Sequence, residues 1–317
     1  MNTGKKPFVI LTGPTAVGKT AVSLALAKAI GGEIISADSM QVYRCMDIGS
    51  AKITTNEMLG IPHYLVDVLE PEEDFNVVKF QTLAKKALAE IYAKGKIPIV
   101  VGGTGFYIQA LLYDIDFSKG NDDVRYRQEL EGMATHQGAI YLHDMLAKVD
   151  AESAQSIHAN NIKKVIRALE FYKVTGKKIS EHNAIEREKI SPYNFVYFVL
   201  NDVRSHLYEK INQRVDRMLA DGLLAEVNSL KERGFTKDMV SMQGLGYKEM
   251  LGFLDGTYTL EEAIYMLKRD TRHFAKRQIT WFKREKDVIW LNQQDFAYEK
   301  TRILKEMQKH LKNKQIL

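Results

Sequence analysis

The feature that most constrains how this chain folds is a glycine-rich turn near its N-terminus. Residues 13–20 read Gly-Pro-Thr-Ala-Val-Gly-Lys-Thr, after an apolar run at 8–11 and before an alanine- and leucine-rich stretch that Gly31 and Gly32 end. This turn matches the GxxxxGK[ST] pattern and lies between a predicted strand and a predicted helix, as phosphate binding requires. Its backbone N–H groups form an anion-binding nest, and the helix N-terminus adds a favourable dipole. The sequence therefore predicts a strand, a phosphate loop and a helix in direct succession.

Two side chains of this phosphate loop, residues 13–20, carry specific chemistry. Lys19 supplies a point charge for a phosphate group, and the Thr20 hydroxyl is a ligand for Mg²⁺. The loop alone does not distinguish a nucleotide from another diphosphate. The predicted diphosphate-binding residues are Gly13, Pro14, Thr15, Ala16, Val17, Gly18, Lys19 and Thr20.

Two more short apolar runs end in polar or glycine-rich turns. The run at 33–36 leads into Asp38, and the run at 97–101 leads into the sequence Gly-Gly-Thr-Gly at 102–105, here called the glycine turn. Such strands alternate with helical stretches, for example at 80–94, which predicts an α/β fold with a parallel sheet and helices on both faces. Ligands of such sheets bind beyond the carboxyl ends of the strands. The three turns are therefore the candidate site.

The domain organisation follows from a change in pattern after Asp114. Helical periodicity broken by polar turns predicts a mainly helical insertion over 115–199, although 194–200 is strand-like. The α/β core then comprises 1–114 and 200–317. It ends in helical stretches near 205–220, 223–233 and 261–286 and in a terminal helix at 300–314.

Three candidate residues each have a structural and a functional interpretation. Asp38 suits either a turn or helix cap, or a general base beside the phosphate loop. Thr104 lies in a turn whose glycines either adopt positive φ or let a substrate approach the backbone. Arg214 borders an apolar helical stripe, where it either pairs with a structural carboxylate or clamps a phosphate. The residues alone leave these alternatives open.

Composition and charge narrow the class of protein. With 317 residues, 45% of them hydrophobic, the chain can bury a substantial core, and its single cysteine, Cys45, excludes an internal disulfide. No HExxH metal motif, signal peptide or membrane-spanning run is present, so a cytoplasmic protein without membrane contact is expected. The net charge is +5, and the predicted 261–286 helix has an apolar side including Leu267 and a basic side including Arg272. That basic side fits either solvent or a nucleic-acid backbone.

Taken in order, these motifs resemble the tRNA dimethylallyltransferase family, also called tRNA isopentenyltransferase. The resemblance includes the phosphate loop, Asp-Ser-Met-Gln at 38–41 and Gly-Gly-Thr-Gly-Phe-Tyr at 102–107. Further along, it includes Val-Ile-Arg-Ala-Leu-Glu at 165–170, Arg-Val-Asp-Arg-Met at 214–218, Gly-Leu-Gly-Tyr-Lys-Glu at 244–249 and Arg-Gln-Ile-Thr-Trp at 277–281. It spans about residues 10–285. One departure is His-Ala-Asn-Asn at 158–161, where many members have His-Pro-Asn-Asp.

The resemblance implies a prenyl transfer in a fold like that of P-loop NTPases. The donor would be dimethylallyl diphosphate, and the acceptor the N6 amine of the adenosine 3′ of the anticodon. Asp38 would be the general base, Thr104 would orient a substrate, and Arg214, the loop amides, Lys19 and Mg²⁺ on Thr20 would stabilise the departing diphosphate. A monomer is expected. The predicted tRNA-binding residues are Asp38, Ser39, Met40, Gln41, Thr104, Arg127, Lys163, Lys164, Arg167, Arg277 and Gln278.

Three other functions fit part of the sequence. A P-loop kinase acting on a small molecule would use the same loop but would transfer or hydrolyse phosphate from ATP. A prenyltransferase acting on free adenine nucleotides would leave the insertion and the basic helix without a purpose. A switch GTPase or non-catalytic RNA-binding module is disfavoured, because the nearest approach to the guanine-reading NKxD pattern, at 313–316, lacks the aspartate.

Overall fold

The computed structural model of this chain describes residues 4–117 and 124–317. The chain divides into two compact units. Residues 1–112 and 192–317 form one, here the core unit, and residues 113–191 form the other, here the insertion unit. The predicted boundary at 199 is wrong, because the strand-like residues before it belong to the sheet of the core unit.

The core unit contains a six-stranded parallel sheet. In chain order the strands are β1 Pro7–Thr12, β2 Gly32–Ser36, β3 His63–Tyr64, β4 Ile97–Gly102, β5 Asn194–Asn201 and β6 Val288–Asn292. Their order in the sheet is β3-β2-β4-β1-β5-β6. Strands β1, β2, β4 and β5 were expected from the apolar runs, whereas β3 and β6 were not. The predicted α/β class is confirmed.

Helices cover both faces of this sheet. Val9 and Leu11 of β1 pack into a core cluster that includes Leu26 and Met307. Phe8 and Ile10 alternate with them, so they point to the opposite face, and they are fully buried as well. The helices of the core unit are α1 Lys19–Ile30, α2 Val77–Ala93, α3 Gly105–Leu112, α9 Arg204–Ala220, α10 Leu223–Glu232, α11 Tyr247–Leu254, α12 Leu260–Phe282 and α13 Lys300–Asn313.

The insertion unit is helical, as its periodicity predicted. It has its own apolar core, to which Leu130, Leu146 and Leu169 belong. Asp150 caps one helix and ties it to another, since its carboxylate accepts hydrogen bonds from the backbone and hydroxyl groups of both Ser153 and Ser180. Its helices are α4 Val124–Gln137, α5 Ala139–Val149, α6 Ala151–Ser156, α7 Ile162–Thr175 and α8 Ile179–Glu188. Across 4–117 and 124–317, no helix has the length and apolarity needed to cross a membrane.

Candidate active site

The three predicted turns meet at the carboxyl edge of the sheet. They follow β2, β4 and β1, which are neighbours in the strand order. Hydrogen bonds join them: the Thr104 backbone N–H donates to the carbonyl of Ala37 at 3.2 Å, and the Thr12 hydroxyl donates to the carbonyl of Gly102 at 2.7 Å. The sheet order therefore places the phosphate loop, the Asp38 turn and the glycine turn side by side.

The phosphate loop has the backbone that its sequence predicts. Gly18 adopts a left-handed conformation with φ of 92° and caps the N-terminus of α1. Gly13 has φ of 148°, and a Cβ there would lie 2.2 Å from the carbonyl oxygen of Leu200 in β5. The Lys19 ammonium group donates to the carbonyl oxygens of Gly13 and Pro14 at 2.9 and 2.8 Å. Lys19 therefore folds back across its own loop.

The charge of Lys19 is unfavourable in this environment. Burial and, to a smaller extent, the nearby Arg214 guanidinium lower its pKa to about 7, although the Asp38 carboxylate acts in the opposite direction. An anion bound at the loop would therefore stabilise the charged form of Lys19. Because the pKa is depressed, unfolded chains bind more protons than folded ones between pH 7 and the ordinary lysine value, and this residue's contribution to stability rises with pH there.

A bound diphosphate should restore the Lys19 proton. We expect its binding to take up close to one proton per site at about pH 8.5, between the depressed and the ordinary lysine pKa. Calorimetry of a diphosphate monoester in buffers of different ionisation enthalpy measures that uptake directly. Lys19→Met should bind with no uptake. Equal proton uptake by both proteins would show that another group titrates.

Arg214 reaches the phosphate loop. It lies on α9 beside the buried Val215, and its guanidinium donates to the Thr15 hydroxyl at 3.3 Å. Burial lowers its pKa, the Asp38 carboxylate raises it, and Arg217 lowers it. The sequence left open whether Arg214 pairs with a structural carboxylate or clamps a phosphate. Its contact with Thr15 places it beside the phosphate loop, as the second interpretation requires. Its catalytic role stays a prediction.

Asp38 combines the two roles that the sequence left open. Its Oδ1 accepts hydrogen bonds from the backbone N–H groups of Met40 at 2.8 Å and Gln41 at 3.3 Å, so the residue does fix the turn. Its Oδ2 receives no hydrogen bond from the residues that the structure describes. The same carboxylate opposes the lowering of the Lys19 and Arg214 pKa values, so it lies within electrostatic reach of both side chains. One oxygen holds the turn, and the other remains available for chemistry.

The three residues after Asp38 are half-buried, and two of them contact other parts of the protein. The Gln41 amide donates to the carbonyl of Ala51 at 3.2 Å. Met40 packs against Gly244, where an added Cβ would lie 2.4 Å from the Met40 methyl group. Ser39 is also half-buried. The contact places the Asp38 turn against the 244–249 motif, while the base-holding role of 39–41 stays a prediction.

Of the two interpretations of the glycine turn, the structure excludes positive φ, and close approach of a substrate to the backbone stays a prediction. Neither Gly102 nor Gly103 has a positive φ. Instead, a Cβ on Gly102 would lie 2.2 Å from the Ala37 carbonyl oxygen, so close packing of two turns excludes a side chain. The Thr104 carbonyl accepts from the N–H groups of Tyr107 and Ile108 at the start of α3. Thr104 is half-buried, and its substrate-orienting role stays a prediction.

Two residues that were predicted to contact RNA have structural roles in the fold, and RNA contact by Arg127, whose side chain is 40% exposed, stays a prediction. Gln278 is only 6% exposed, and its amide bonds to the Thr15 N–H and the Gly103 carbonyl, so it is not available to RNA. In the insertion unit, the Arg127 guanidinium makes two hydrogen bonds of 2.7 and 2.8 Å to the carboxylate of Glu170, which is 3% exposed. Removing Arg127 would leave that carboxylate buried without its partner.

The other predicted RNA contacts remain compatible with the structure. Lys163 and Lys164 are exposed at the start of α7, and Arg167 is half-buried one turn later. Arg277 is exposed on α12, with its guanidinium 5.8 Å from the ring centroid of Phe274. Their contact with RNA stays a prediction.

The metal prediction rests on few protein ligands. In the described part of the chain, no three His, Cys, Asp or Glu side chains are grouped to hold an ion. Thr20 is exposed at the first turn of α1. This suits Mg²⁺, which commonly uses one or two protein oxygens together with substrate phosphates.

Sequence reasoning did not predict that two glutamines outside the phosphate loop make hydrogen bonds to its backbone. Besides Gln278, the Gln293 amide after β6 donates to the Val17 carbonyl at 2.8 Å. Nothing in the local pattern marks Gln293. Gln278, by contrast, falls on the buried stripe of α12, between Ala275 and Phe282. A buried glutamine on such a stripe is a signal that could have found it.

These features define the class of protein: a P-loop α/β protein in which an aspartate turn and a glycine turn flank the phosphate loop. The family model described as IPP transferase matches residues 41–285. The chain belongs to the IPP transferase family. The match starts within the Asp38 turn and continues beyond the 277–281 motif.

Several relatives resemble this chain over most of its length. A tRNA dimethylallyltransferase of Lachnoclostridium phytofermentans is 61% identical over 98% of this chain and 99% of its own length. The crystal structure of the full-length tRNA isopentenylpyrophosphate transferase of Bacillus halodurans is similar, with 45% identity, a TM-score of 0.73 and coverage of 98% of both chains. A eukaryotic dimethylallyltransferase solved acting on tRNA has 32% identity and a TM-score of 0.79, over 90% of this chain and 74% of that one. The predicted family is therefore confirmed.

Proposed function

We propose that this protein transfers the dimethylallyl group of dimethylallyl diphosphate to N6 of the adenosine 3′-adjacent to the tRNA anticodon, position 37. The observation that carries the proposal is the position of Asp38 beside the phosphate loop, within electrostatic reach of Lys19 and Arg214. The named activity of the 61% identical relative supports the same substrate pair.

The proposed reaction breaks one bond and forms another at the same allylic carbon. As the carbon–oxygen bond breaks, its electron pair leaves with the diphosphate, and negative charge grows on the departing oxygens. Lys19, Arg214 and backbone N–H groups of the phosphate loop at the start of α1 stabilise that charge. The adenine N6 lone pair forms the new carbon–nitrogen bond, and Asp38 Oδ2 accepts the N6 proton.

We also propose that Thr20 holds Mg²⁺ together with the diphosphate. When bound, the ion would neutralise charge on the diphosphate oxygens and so favour their departure. The exposed Thr20 hydroxyl at the helix N-terminus is compatible with this role. Thr104 would orient the reacting groups from the neighbouring strand end.

The acceptor must leave the base stack before N6 can react, because a stacked base does not present this atom to a pocket. We assign Ser39, Met40 and Gln41 to the extruded base. Lys163, Lys164, Arg167 and Arg277 are assigned to the RNA backbone, since three of these four residues are exposed cations. We also propose that the protein acts as a monomer, and its tRNA substrate favours a cytoplasmic location.

Mass spectrometry of the RNA product tests the proposed function. An anticodon stem-loop is incubated with the protein, Mg²⁺ and dimethylallyl diphosphate, beside a reaction that contains ATP instead. We expect a dimethylallyl mass gain on the adenosine next to the anticodon and none when that adenosine is replaced by guanosine. No mass gain on the RNA, together with transfer of phosphate from ATP, would contradict the proposal and support the kinase function instead. A gain on free adenine nucleotides alone would reassign the acceptor.

A further inference from the structure

Gln278 joins two turns that belong to different strands. Its Oε1 accepts a hydrogen bond of 2.8 Å from the Thr15 N–H in the phosphate loop. Its Nε2 donates at 2.9 Å to the Gly103 carbonyl in the glycine turn. Both the oxygen and the nitrogen of the amide are thus used. Among the described residues, no other side chain makes these hydrogen bonds to the Thr15 N–H and the Gly103 carbonyl.

The surroundings of Gln278 leave this amide little freedom. The residue is 6% exposed and lies on the buried stripe of α12. A Cβ on Gly103 would lie 2.1 Å from Gln278 Nε2, so the glycine turn fits around the amide. A buried polar group without a partner is costly, so the two hydrogen bonds hold the amide in one orientation.

Thr15 connects the phosphate loop to two side chains outside it. It is held twice, by Gln278 at its N–H and by Arg214 at its hydroxyl. Its N–H is therefore already used within the protein, and the loop is fixed relative to Arg214. A loop set in advance loses less entropy when the diphosphate binds.

We propose that Gln278 is a positioning residue that clamps the phosphate loop to the glycine turn and so sets the affinity for dimethylallyl diphosphate. The proposal rests on the proposed function for the identity of the diphosphate. It replaces the RNA contact expected from the sequence with an action through Thr15 and Gly103. Gln278 itself touches neither substrate.

Two substitutions separate this role from simple packing. In Gln278→Glu, the carboxylate still accepts from Thr15 but cannot donate to the Gly103 carbonyl until it is protonated. In Gln278→Met, a side chain of similar length makes neither hydrogen bond at any pH. Gln308→Glu on α13, a helix that supplies no site residue, is the matched control for the change of charge.

We expect both Gln278 variants to raise the KM for dimethylallyl diphosphate about ten- to hundredfold at neutral pH, as lost buried hydrogen bonds would. The affinity for the anticodon stem-loop should be unchanged. Relative to the wild type, Gln278→Glu should recover as pH falls, because its protonated form donates again, and Gln278→Met should not. Gln308→Glu should match the wild type throughout.

Hydrogen exchange provides a readout that does not depend on turnover. Peptides covering 13–20 and 102–105 should both exchange faster in Gln278→Met and not in Gln308→Glu. If the wild type transfers no prenyl group but the two peptides respond in this way, the proposed function fails and the clamp stands. An unchanged KM in both variants would overturn the clamp, as would a loss of thermal stability alone. A fall in RNA affinity with the KM for the diphosphate unchanged would also overturn the clamp and would support the RNA contact that the sequence predicted for Gln278.

Discussion

Asp38→Asn should lower the rate of prenyl transfer by about 10²–10⁴, the range typical of a lost general base. An asparagine keeps a side-chain oxygen for the N–H groups of Met40 and Gln41, so the turn should persist. What it loses is the ability of the second oxygen to accept the N6 proton. Single-turnover kinetics with saturating RNA and dimethylallyl diphosphate measure the chemical step, and filter binding measures RNA affinity, which should be unchanged.

Asp38→Ala is the matched comparison, because it removes the turn hydrogen bonds together with the base. Asp38→Ala should be slower than Asp38→Asn or bind RNA more weakly. The difference between the two variants measures how much the turn hydrogen bonds of Asp38 contribute. A full rate in Asp38→Asn would exclude the residue as base. A large loss of RNA affinity in Asp38→Asn, with the rate preserved at saturation, would leave Asp38 only its predicted tRNA-binding role and exclude it as the base.

The sequence predicted the part of the fold whose signals are local. The phosphate loop, its strand and its helix appear together because glycines, apolar runs and helix formers lie within a short stretch. α1 begins at Lys19 and ends at Ile30, as predicted, and Gly31 caps it in the left-handed conformation. The order of the turns at the sheet edge also followed, since parallel strands end at one edge.

The strands that escaped prediction have weak local signals. β3 is only His63–Tyr64, and β6, Val288–Asn292, is a half-buried edge strand. The boundary at 199 failed because the apolar run of β5 was treated as the end of the insertion. Only its pairing with β1 and β6 assigns β5 to the sheet. Pairing between distant segments is not visible in periodicity.

The site residues divide in the same way. Lys19, Thr20 and Asp38 were predicted because a motif or a strand end marks them. Arg277 and Gln278 were both predicted to contact RNA and stand together in the 277–281 motif, yet the two side chains lie on different sides of α12: Arg277 is exposed and Gln278 is buried. The difference lies in tertiary packing, which a contiguous motif does not convey.

Lys19→Met should reduce kcat/KM for dimethylallyl diphosphate by about 10²–10³, comparable to the loss of one donor to a developing oxyanion. The side chain keeps its approximate length but brings no charge to the departing diphosphate. Because the charged form of Lys19 is disfavoured by burial and by Arg214, its removal should not lower the thermal midpoint of the free protein. Steady-state kinetics and thermal unfolding measure the two effects on the same samples.

Lys19→Arg tests whether charge alone is sufficient. Arginine stays protonated at all working pH values, so this variant should bind the diphosphate without proton uptake. Its larger guanidinium cannot reproduce both short contacts of the ammonium group with the Gly13 and Pro14 carbonyls, and the rate should stay below that of the wild type. Wild-type kcat/KM in Lys19→Met would contradict a diphosphate role for this loop. If binding were normal and only RNA affinity fell, the loop would instead hold an RNA phosphate.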